Sequence, residues 1–197
     1  MKLGIYGGAF NPIHNGHVII AIEVLERLNL DKLIVVPTYN PPHRSKEDFA
    51  PYEYRKRWAE IVFKGERRIF ISDYEKEKGG ISYSIDTVKY YSEEYSVKPF
   101  FIIGEDSAIN FDKWYRYEEL KRLANFVVYP RFRKGMFDFI KRVHPEFFAL
   151  EDFPLVEISS TDIRERIREG KSIRGMVDRS IEDEVVETYR RIFSKKR

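Results

Sequence analysis

Two histidines placed three residues apart follow a pair of glycines near the start of the chain, as His14 and His17 after Gly7 and Gly8. Imidazole N–H groups donate hydrogen bonds to phosphate oxygens, and two of them on one helix face can reach the same phosphate. Adjacent glycines permit a tight turn and a close approach of the backbone to a ligand. These residue types at this spacing therefore predict chemistry on a bound phosphate.

The elements that would hold these groups are a strand, a glycine loop and a helix. Residues 3–6 form a short apolar run that fits a buried strand, and an amphipathic run that fits a helix begins at His17. Unpaired N–H groups at the start of such a helix, with the positive end of its dipole, favour a bound anion. An H-x-x-H pair can also bind a metal, but the chain has no Cys and no zinc-protease pattern with Glu surrounds these histidines. The segment is interpreted as a nucleotide-phosphate site.

A second group of phosphate-binding side chains stands near the other end of the chain. Ser159, Ser160 and Thr161 precede a predicted helix, and Arg164 lies in its first turns. Hydroxyl groups in this place can cap the helix or donate to phosphate oxygens, and a guanidinium adds a charge-assisted contact. Taken alone, the run is an ordinary helix cap. Together with the first segment it predicts a second contact with phosphate.

These two segments resemble the signatures of a known superfamily. Residues 8–17 match G-x-F-[DN]-P-x-H-x-G-H, and residues 158–164 resemble I-S-S-T-x-I-R, both of which mark the nucleotidylyltransferases. The resemblance implies transfer of a nucleotidyl group from a nucleoside triphosphate to a phosphate, with release of pyrophosphate. Asn11 stands where many members carry Asp, and we expect it to fix the loop locally.

Further segments narrow the resemblance to one family. Residues 40–44, 82–87, 103–106 and 114–115 are similar in order and spacing to the bacterial nicotinate-nucleotide adenylyltransferases, and the similarity runs from residue 2 to about residue 193. It implies adenylyl transfer from ATP to nicotinate mononucleotide, which gives nicotinate adenine dinucleotide and pyrophosphate. Mg²⁺ is expected to accompany ATP and to be bound mainly by phosphate oxygens and water, with no metal-binding residue supplied by the protein.

The resemblance also implies roles for individual residues. The catalytic residues would be His14, His17 and Arg164. The ATP-binding residues would be Gly7, Gly8, Ala9, Phe10, His14, His17, Gly104, Asp106, Arg131, Ser159, Ser160, Thr161 and Arg164. The mononucleotide would be bound by Asn40, His43, Arg44, Ser82, Tyr83, Trp114 and Tyr115, with Trp114 stacked on the pyridine ring.

Several alternatives stay open at the level of the residues. His43 and Arg44 could be solvated surface, and Trp114 could anchor a loop to the core. The acceptor could be nicotinamide mononucleotide, phosphopantetheine or a sugar phosphate. The chain could also be a nucleotide-binding regulator without turnover. A dinucleotide-dependent dehydrogenase is disfavoured, because the first loop lacks G-x-G-x-x-G.

Composition limits the class of protein. The chain has 197 residues, 43% of them hydrophobic, which suits one domain over residues 1–197. Its net charge is only +3, and acidic and basic residues are interleaved, so a nucleic-acid partner is not expected. The apolar runs are too short to span a membrane, and Met1 and Lys2 lead directly into a strand, so we expect a cytoplasmic protein. Whether it forms a homo-oligomer is left open.

Strand and helix patterns alternate along the chain. Strands are predicted over residues 2–6, 32–36, 68–71, 99–103, 125–129 and 154–157, and helices over residues 17–28, 52–63, 84–94, 116–122, 133–143, 161–169 and 181–192. The alternation predicts an α/β fold, a doubly wound parallel sheet of Rossmann type with helices on both faces and a helical C-terminal end. Gly7, Asn40, Gly104, Arg131 and Ser159 follow predicted strands, so we expect them along one edge of that sheet.

Overall fold

The computed structural model describes residues 1–42, 48–130, 136–150 and 152–195. Its centre is a six-stranded parallel sheet in the order β3-β2-β1-β4-β5-β6. The strands are β1 (Leu3–Gly8), β2 (Lys32–Pro37), β3 (Ile69–Ile71), β4 (Phe100–Gly104), β5 (Asn125–Tyr129) and β6 (Phe148–Ala149). This strand order confirms the predicted doubly wound α/β fold. From β1 the chain adds β2 and β3 on one side of the sheet and then β4, β5 and β6 on the other, so the strand order reverses between β1 and β4.

Helices connect the strands and cover both faces of the sheet. Within the described residues they are α1 (Asn15–Arg27), α2 (Tyr52–Val62), α3 (Tyr74–Lys78), α4 (Ser84–Tyr95), α5 (Glu105–Ile109), α6 (Tyr117–Leu123), α7 (Met136–Val143), α8 (Ser160–Arg168) and α9 (Arg179–Ser194), with a 3₁₀ turn at Phe111–Lys113. No helix in these ranges is long and apolar enough to cross a membrane.

Two apolar cores form because successive residues of a strand point to opposite faces. Ile102 and Val127 join the core under α1, α2, α8 and α9, whereas Phe101 and Phe126 join the core under α4 to α7. Both faces of the inner strands are therefore buried, which explains their nearly continuous apolar sequence.

The C-terminal helix α9 closes the first core. Ile181, Val185 and Tyr189 recur every four residues and are fully buried, as expected for one face of a helix that packs on a sheet. Trp58 of α2 donates a 2.8 Å hydrogen bond from Nε1 to Glu184, which fixes α9 against α2. The end of the chain is thus part of the core that supports α1.

The prediction of the sixth strand is wrong. Residues 154–157 are not a strand, and the edge strand is the two-residue β6, paired with β5 at Val127 and Val128. Pro154 has no N–H to donate to a ladder, and two residues are too few for a periodic signal. The predicted helix over 133–143 is found from Met136 onward, and residues 133–135 lie outside the described ranges.

Candidate active site

A cavity of about 720 Å³ opens at the carboxyl ends of β1 and β4. This is the point at which the strand order reverses, where open α/β sheets bind ligands. The starts of three helices, α1, α4 and α8, also reach its wall. The volume is in the range of small-molecule and cofactor sites.

Most of the residues predicted from the sequence are brought together in this cavity. Its wall includes Gly7, Gly8, Ala9, Phe10, His14, His17, Ser82, Tyr83, Gly104, Trp114, Tyr115, Ser159, Ser160, Thr161 and Arg164. Asn40 and Asp106 lie beside the wall rather than on it. His43, Arg44 and Arg131 lie outside the described residues.

The two histidines cap α1 reciprocally. The helix begins at Asn15, two residues earlier than predicted, so His14 is its N-cap. The His17 backbone N–H donates to His14 Nδ1 at 3.3 Å, and the His14 backbone N–H donates to His17 Nδ1 at 3.1 Å. The two rings stack with centroids 3.6 Å apart and planes 23° apart. This pair is a capping box made from imidazoles, since each side chain satisfies the backbone of the other.

The capping box also decides where the ring protons lie. In both imidazoles Nδ1 accepts a hydrogen bond from a backbone N–H. A neutral imidazole carries one proton, so Nε2 holds it and acts as the donor. The cap therefore makes two ring nitrogens of the cavity wall into N–H donors, which suits anionic oxygens.

Close packing around the rings explains two glycines of this segment. A Cβ at Gly16 would lie 3.0 Å from His14 Nδ1 and 3.2 Å from Val156 Cγ1, so a side chain there would crowd the His14 ring. A Cβ at Gly8 would lie 3.0 Å from the Phe10 ring, which packs edge-on to His17 at 5.0 Å. Gly8 is the last residue of β1, so the paired glycines end the strand rather than follow it.

The start of α8 approaches the same cavity from the C-terminal part of the chain. Ser159 is the N-cap, and its Oγ accepts from the Asp162 N–H at 3.0 Å. Ser160 Oγ donates to the Pro12 carbonyl at 2.8 Å, which ties the helix to the loop after β1. Arg164 donates to the Asn11 carbonyl at 2.8 Å and to Thr161 Oγ1 at 3.3 Å. Ser159 thus serves as a cap, while the helix start as a whole faces the cavity.

Asn11 fixes the loop after β1 from the buried side, which confirms the local role expected for it. Its Oδ1 accepts from the Ala50 N–H at 2.8 Å and from Tyr189 Oη at 2.7 Å, and its Nδ2 donates to the Asp48 carbonyl at 2.9 Å. A carboxylate could not make the third contact, because its second oxygen would face a carbonyl oxygen.

A buried arginine on α2 supports the same loop, and sequence reasoning missed it. Arg55 is 2% exposed and donates from Nη1 to the Ala9 carbonyl at 2.7 Å and from Nε to the Ala50 carbonyl at 3.0 Å. Burial lowers the pKa of its guanidinium. In the sequence Arg55 lies within an ordinary charged run, so nothing there distinguishes it from a surface residue.

Beyond β4, the cavity wall continues along the start of α5. Gly104 ends β4 and caps α5, and Ser107 of that helix also lines the cavity. A Cβ at Gly104 would lie 3.0 Å from Tyr129 Oη, so the backbone and that ring are in close contact. Asp106 is exposed at the helix start. This region forms one end of the cavity.

The other end is built from the loop after β2, the start of α4 and the segment before α6. Ser82 accepts from the Asn40 N–H at 3.0 Å and donates its own N–H to the Asn40 carbonyl at 2.9 Å, so Asn40 holds Ser82 in the wall. Tyr83 caps α4 without a side-chain hydrogen bond and stacks on Tyr115 at 4.3 Å. Trp114 packs edge-on to Phe101, so part of its ring anchors the segment to the core.

Polar residues that the sequence did not single out complete this end of the cavity. Glu75, Thr87 and Lys113 all line it. Glu75 lies in an alternation of Glu and Lys over residues 75–78, which is typical of a solvated helix. Only the fold shows that this carboxylate is buried. Among the described residues, no group of three or more His, Cys, Asp or Glu could hold a metal ion.

Comparison with known proteins shows which families this chain is similar to. The cytidylyltransferase-like family matches residues 5–166. A probable nicotinate-nucleotide adenylyltransferase of Thermotoga petrophila is 48% identical over 95% of this chain and 96% of that protein. One from Pseudothermotoga lettingae is 47% identical, again over 95% and 96% of the two chains.

A solved structure supports the fold independently. The Plasmodium falciparum nicotinic acid mononucleotide adenylyltransferase complexed with NaAD covers 94% of this chain and 95% of its own, with a TM-score of 0.82 and 19% identity. At that identity the likeness shows the fold alone. From the similarity to the bacterial relatives over nearly its whole length, the chain belongs to the cytidylyltransferase-like family and, within it, to the nicotinate-nucleotide adenylyltransferases.

Proposed function

We propose that the cavity binds ATP and nicotinate mononucleotide side by side and joins them into nicotinate adenine dinucleotide, with release of pyrophosphate. The observation that carries this proposal is the stacked pair His14 and His17, whose rings line the cavity. Because the helix cap occupies Nδ1 of both rings, Nε2 is the nitrogen that carries the proton in each neutral imidazole. The reaction belongs to NAD biosynthesis.

The triphosphate would lie between the starts of α1 and α8. His14 and His17 on one side and Arg164 on the other supply N–H donors of the kind that bind phosphate oxygens. The backbone of Gly7 to Phe10 and of Ser159 to Thr161 lines the same space, and helix starts favour anions. Gly104 and the start of α5 would face the adenosine, with Asp106 and Arg131 as predicted further contacts.

The mononucleotide would occupy the end of the cavity near α4. Tyr83 gives the first turn of α4 no side-chain cap, so the N–H groups there are suited to a carboxylate on the pyridine ring. Ser82 and Tyr115 lie next to them on the wall, and the face of Trp114 would stack on the ring. Asn40 would act through Ser82, while His43 and Arg44 are predicted to meet the substrate phosphate.

The chemistry is an in-line displacement at phosphorus. An oxygen of the mononucleotide phosphate, already anionic near neutral pH, forms a bond to the α-phosphorus of ATP, and the bond from that phosphorus to the β-phosphate oxygen breaks. No general base is required. The protein aligns the two phosphates and stabilises charge on the transition state and on departing pyrophosphate. We propose that ATP enters as its magnesium complex, in which the ion is held by phosphate oxygens and water and neutralises their charge.

The test is release of pyrophosphate from ATP and Mg²⁺ with nicotinate mononucleotide and nicotinamide mononucleotide measured side by side. We expect strong preference for the nicotinate form, because a neutral amide gains less from an uncapped helix start than a carboxylate does. Preference for nicotinamide would overturn the acceptor but keep the reaction. If a folded protein binds ATP yet releases no pyrophosphate with either compound or with phosphopantetheine, it is a nucleotide-binding regulator.

Three broader predictions remain part of the proposal. Residues 1–197 are proposed to form one nucleotidyltransferase domain, which is supported by two cores that share one sheet. A cytoplasmic location stays a prediction, which fractionation would test, and light scattering would decide the oligomeric state, which the sequence leaves open.

A further inference from the structure

A buried carboxylate stands at the mononucleotide end of the cavity without a role in the chemistry described above. Glu75 lies on α3, is 9% exposed and lines the cavity. No Lys, Arg or His in the described ranges comes within ion-pair distance of it. Burial raises the pKa of its carboxyl. A charged group in such a place is unfavourable unless hydrogen bonds compensate for lost water.

The compensating donors come from two different segments of the chain. Oε2 accepts from the Tyr39 N–H at 2.9 Å, just beyond β2, and Oε1 accepts from Thr87 Oγ1 on α4 at 3.4 Å. The hydroxyl of Ser82, in the loop before α4, is near enough to the carboxylate to lower its pKa in part. Glu75 is therefore the point at which the loop after β2 meets the start of α4.

This junction sets the shape of the wall that would receive the mononucleotide. Ser82 is held on its other side by Asn40, and Tyr83 follows directly as the cap of α4. A shift of Ser82 would carry the first N–H groups of α4 with it. An ionised carboxylate suits the position because its two oxygens accept from both Tyr39 and Thr87, whereas an amide would turn an NH₂ group toward one of these donors.

We infer that Glu75 is the positioning residue of the mononucleotide site: it joins Tyr39 to Thr87, next to Ser82, and so fixes the start of α4 for the acceptor. The inference rests on the proposed function. It predicts an effect on the mononucleotide alone, because the groups assigned to the triphosphate lie on α1 and α8.

The experiment is steady-state kinetics of Glu75→Gln with each substrate varied in turn. Loss of one hydrogen bond to a charged group should raise KM for nicotinate mononucleotide by roughly tenfold, while KM for ATP changes by less than about twofold. Thr87→Val keeps the side-chain shape and removes one donor, so it should shift the same KM in the same direction by a smaller factor. This second variant serves if Glu75→Gln folds poorly.

The matched control is Lys56→Met. Lys56 pairs with Asp73 at the start of α3, so its loss also loosens that helix, but it does not touch the cavity. We expect it to lower Tm without changing KM for the mononucleotide. If Glu75→Gln keeps the wild-type KM for the mononucleotide, or raises the KM values of both substrates to a similar extent, the inference is wrong. If the wild type itself does not turn over a pyridine mononucleotide, the proposed function fails and the inference falls with it.

Discussion

Tyr189 donates a 2.7 Å hydrogen bond to Asn11 Oδ1, which joins two residues 178 positions apart in the sequence. Burial raises the pKa of the Tyr189 phenol, against the opposing effect of Arg164 and Arg55, so its hydroxyl keeps the proton that it donates. The backbone carbonyl oxygen of Asn11 in turn accepts a hydrogen bond from Arg164 at 2.8 Å. The C-terminal helix therefore reaches the part of the cavity between the starts of α1 and α8 through one loop residue.

Tyr189→Phe removes only the hydroxyl of this contact. Because Asn11 then loses one of the two donors on its Oδ1 and holds Arg164 less firmly, we expect kcat to fall by roughly 5- to 10-fold and stability to fall by about 1 kcal/mol. Stopped assays of pyrophosphate release and urea denaturation measure the two effects.

Glu184→Ala is the control for that variant. Glu184 lies on α9, like Tyr189, and accepts the hydrogen bond from Trp58 of α2, away from the loop after β1. Its loss should therefore lower stability at least as much as Tyr189→Phe does and leave kcat unchanged. Equal losses of kcat in the two proteins would mean that Tyr189 acts through stability alone.

His14 combines two roles that a pair of variants can separate. Asn is among the best N-cap residues and would keep the acceptor for the His17 N–H, whereas Ala would lose it at a cost of about 1 kcal/mol. Neither supplies the Nε2–H donor, so both His14→Asn and His14→Ala should lower kcat by roughly 10²-fold. Thermal unfolding measures the loss of the helix cap, and steady-state kinetics measures kcat. A His14→Asn protein with full kcat would remove the imidazole from the mechanism.

Tyr115 is 53% exposed and stacks on Tyr83 at the end of the cavity near α4, where the mononucleotide is proposed to bind. Tyr115→Leu should raise KM for nicotinate mononucleotide by roughly 2- to 10-fold, which corresponds to the free energy of one aromatic contact. We expect little change in Tm. Tyr90→Leu is the comparison, since Tyr90 is a half-exposed ring that stacks on Tyr74 at 4.2 Å but does not line the cavity. The same KM shift in both variants would refute a local role for the stack.

Glu75 predicts a pH dependence of stability. Because burial raises its pKa in the folded state, the folded protein takes up a proton more readily than the unfolded chain. Its contribution to stability is complete below the usual carboxyl pKa and is lost as pH rises through the raised one.

The groups that face Glu75 are charged or phenolic side chains of its own helix and of α2. They are Lys78 on its own helix, with Tyr74, and Arg55 and Tyr52 on α2. The unfolding free energy of the wild type, minus that of Glu75→Gln, should therefore decrease as pH rises above the usual carboxyl value. Urea denaturation over mildly acidic pH measures it, and a difference that does not vary with pH would contradict the prediction.

The sequence by itself determined the fold class and most of the cavity wall. Five of six strands and the seven predicted helices follow from apolar periodicity, which local sequence records directly. Gly7, His14, His17 and Arg164 could be named in advance because their segments combine side chains and spacing that suit a phosphate. The two-residue β6 left no such record, and Pro154 excluded the strand expected in its place.

The tertiary structure alone decided which polar residues support the site. Arg55, Glu75 and Tyr189 stand in runs that are typical of exposed or simply amphipathic helices, and their partners are carbonyl, N–H and amide groups from distant segments. Burial and hydrogen bonding depend on which segments meet, and short-range pattern does not contain that information. The same holds for the imidazole capping box. The sequence placed two histidines three residues apart, but only because α1 starts at Asn15 does the backbone N–H of each histidine occupy Nδ1 of the other ring.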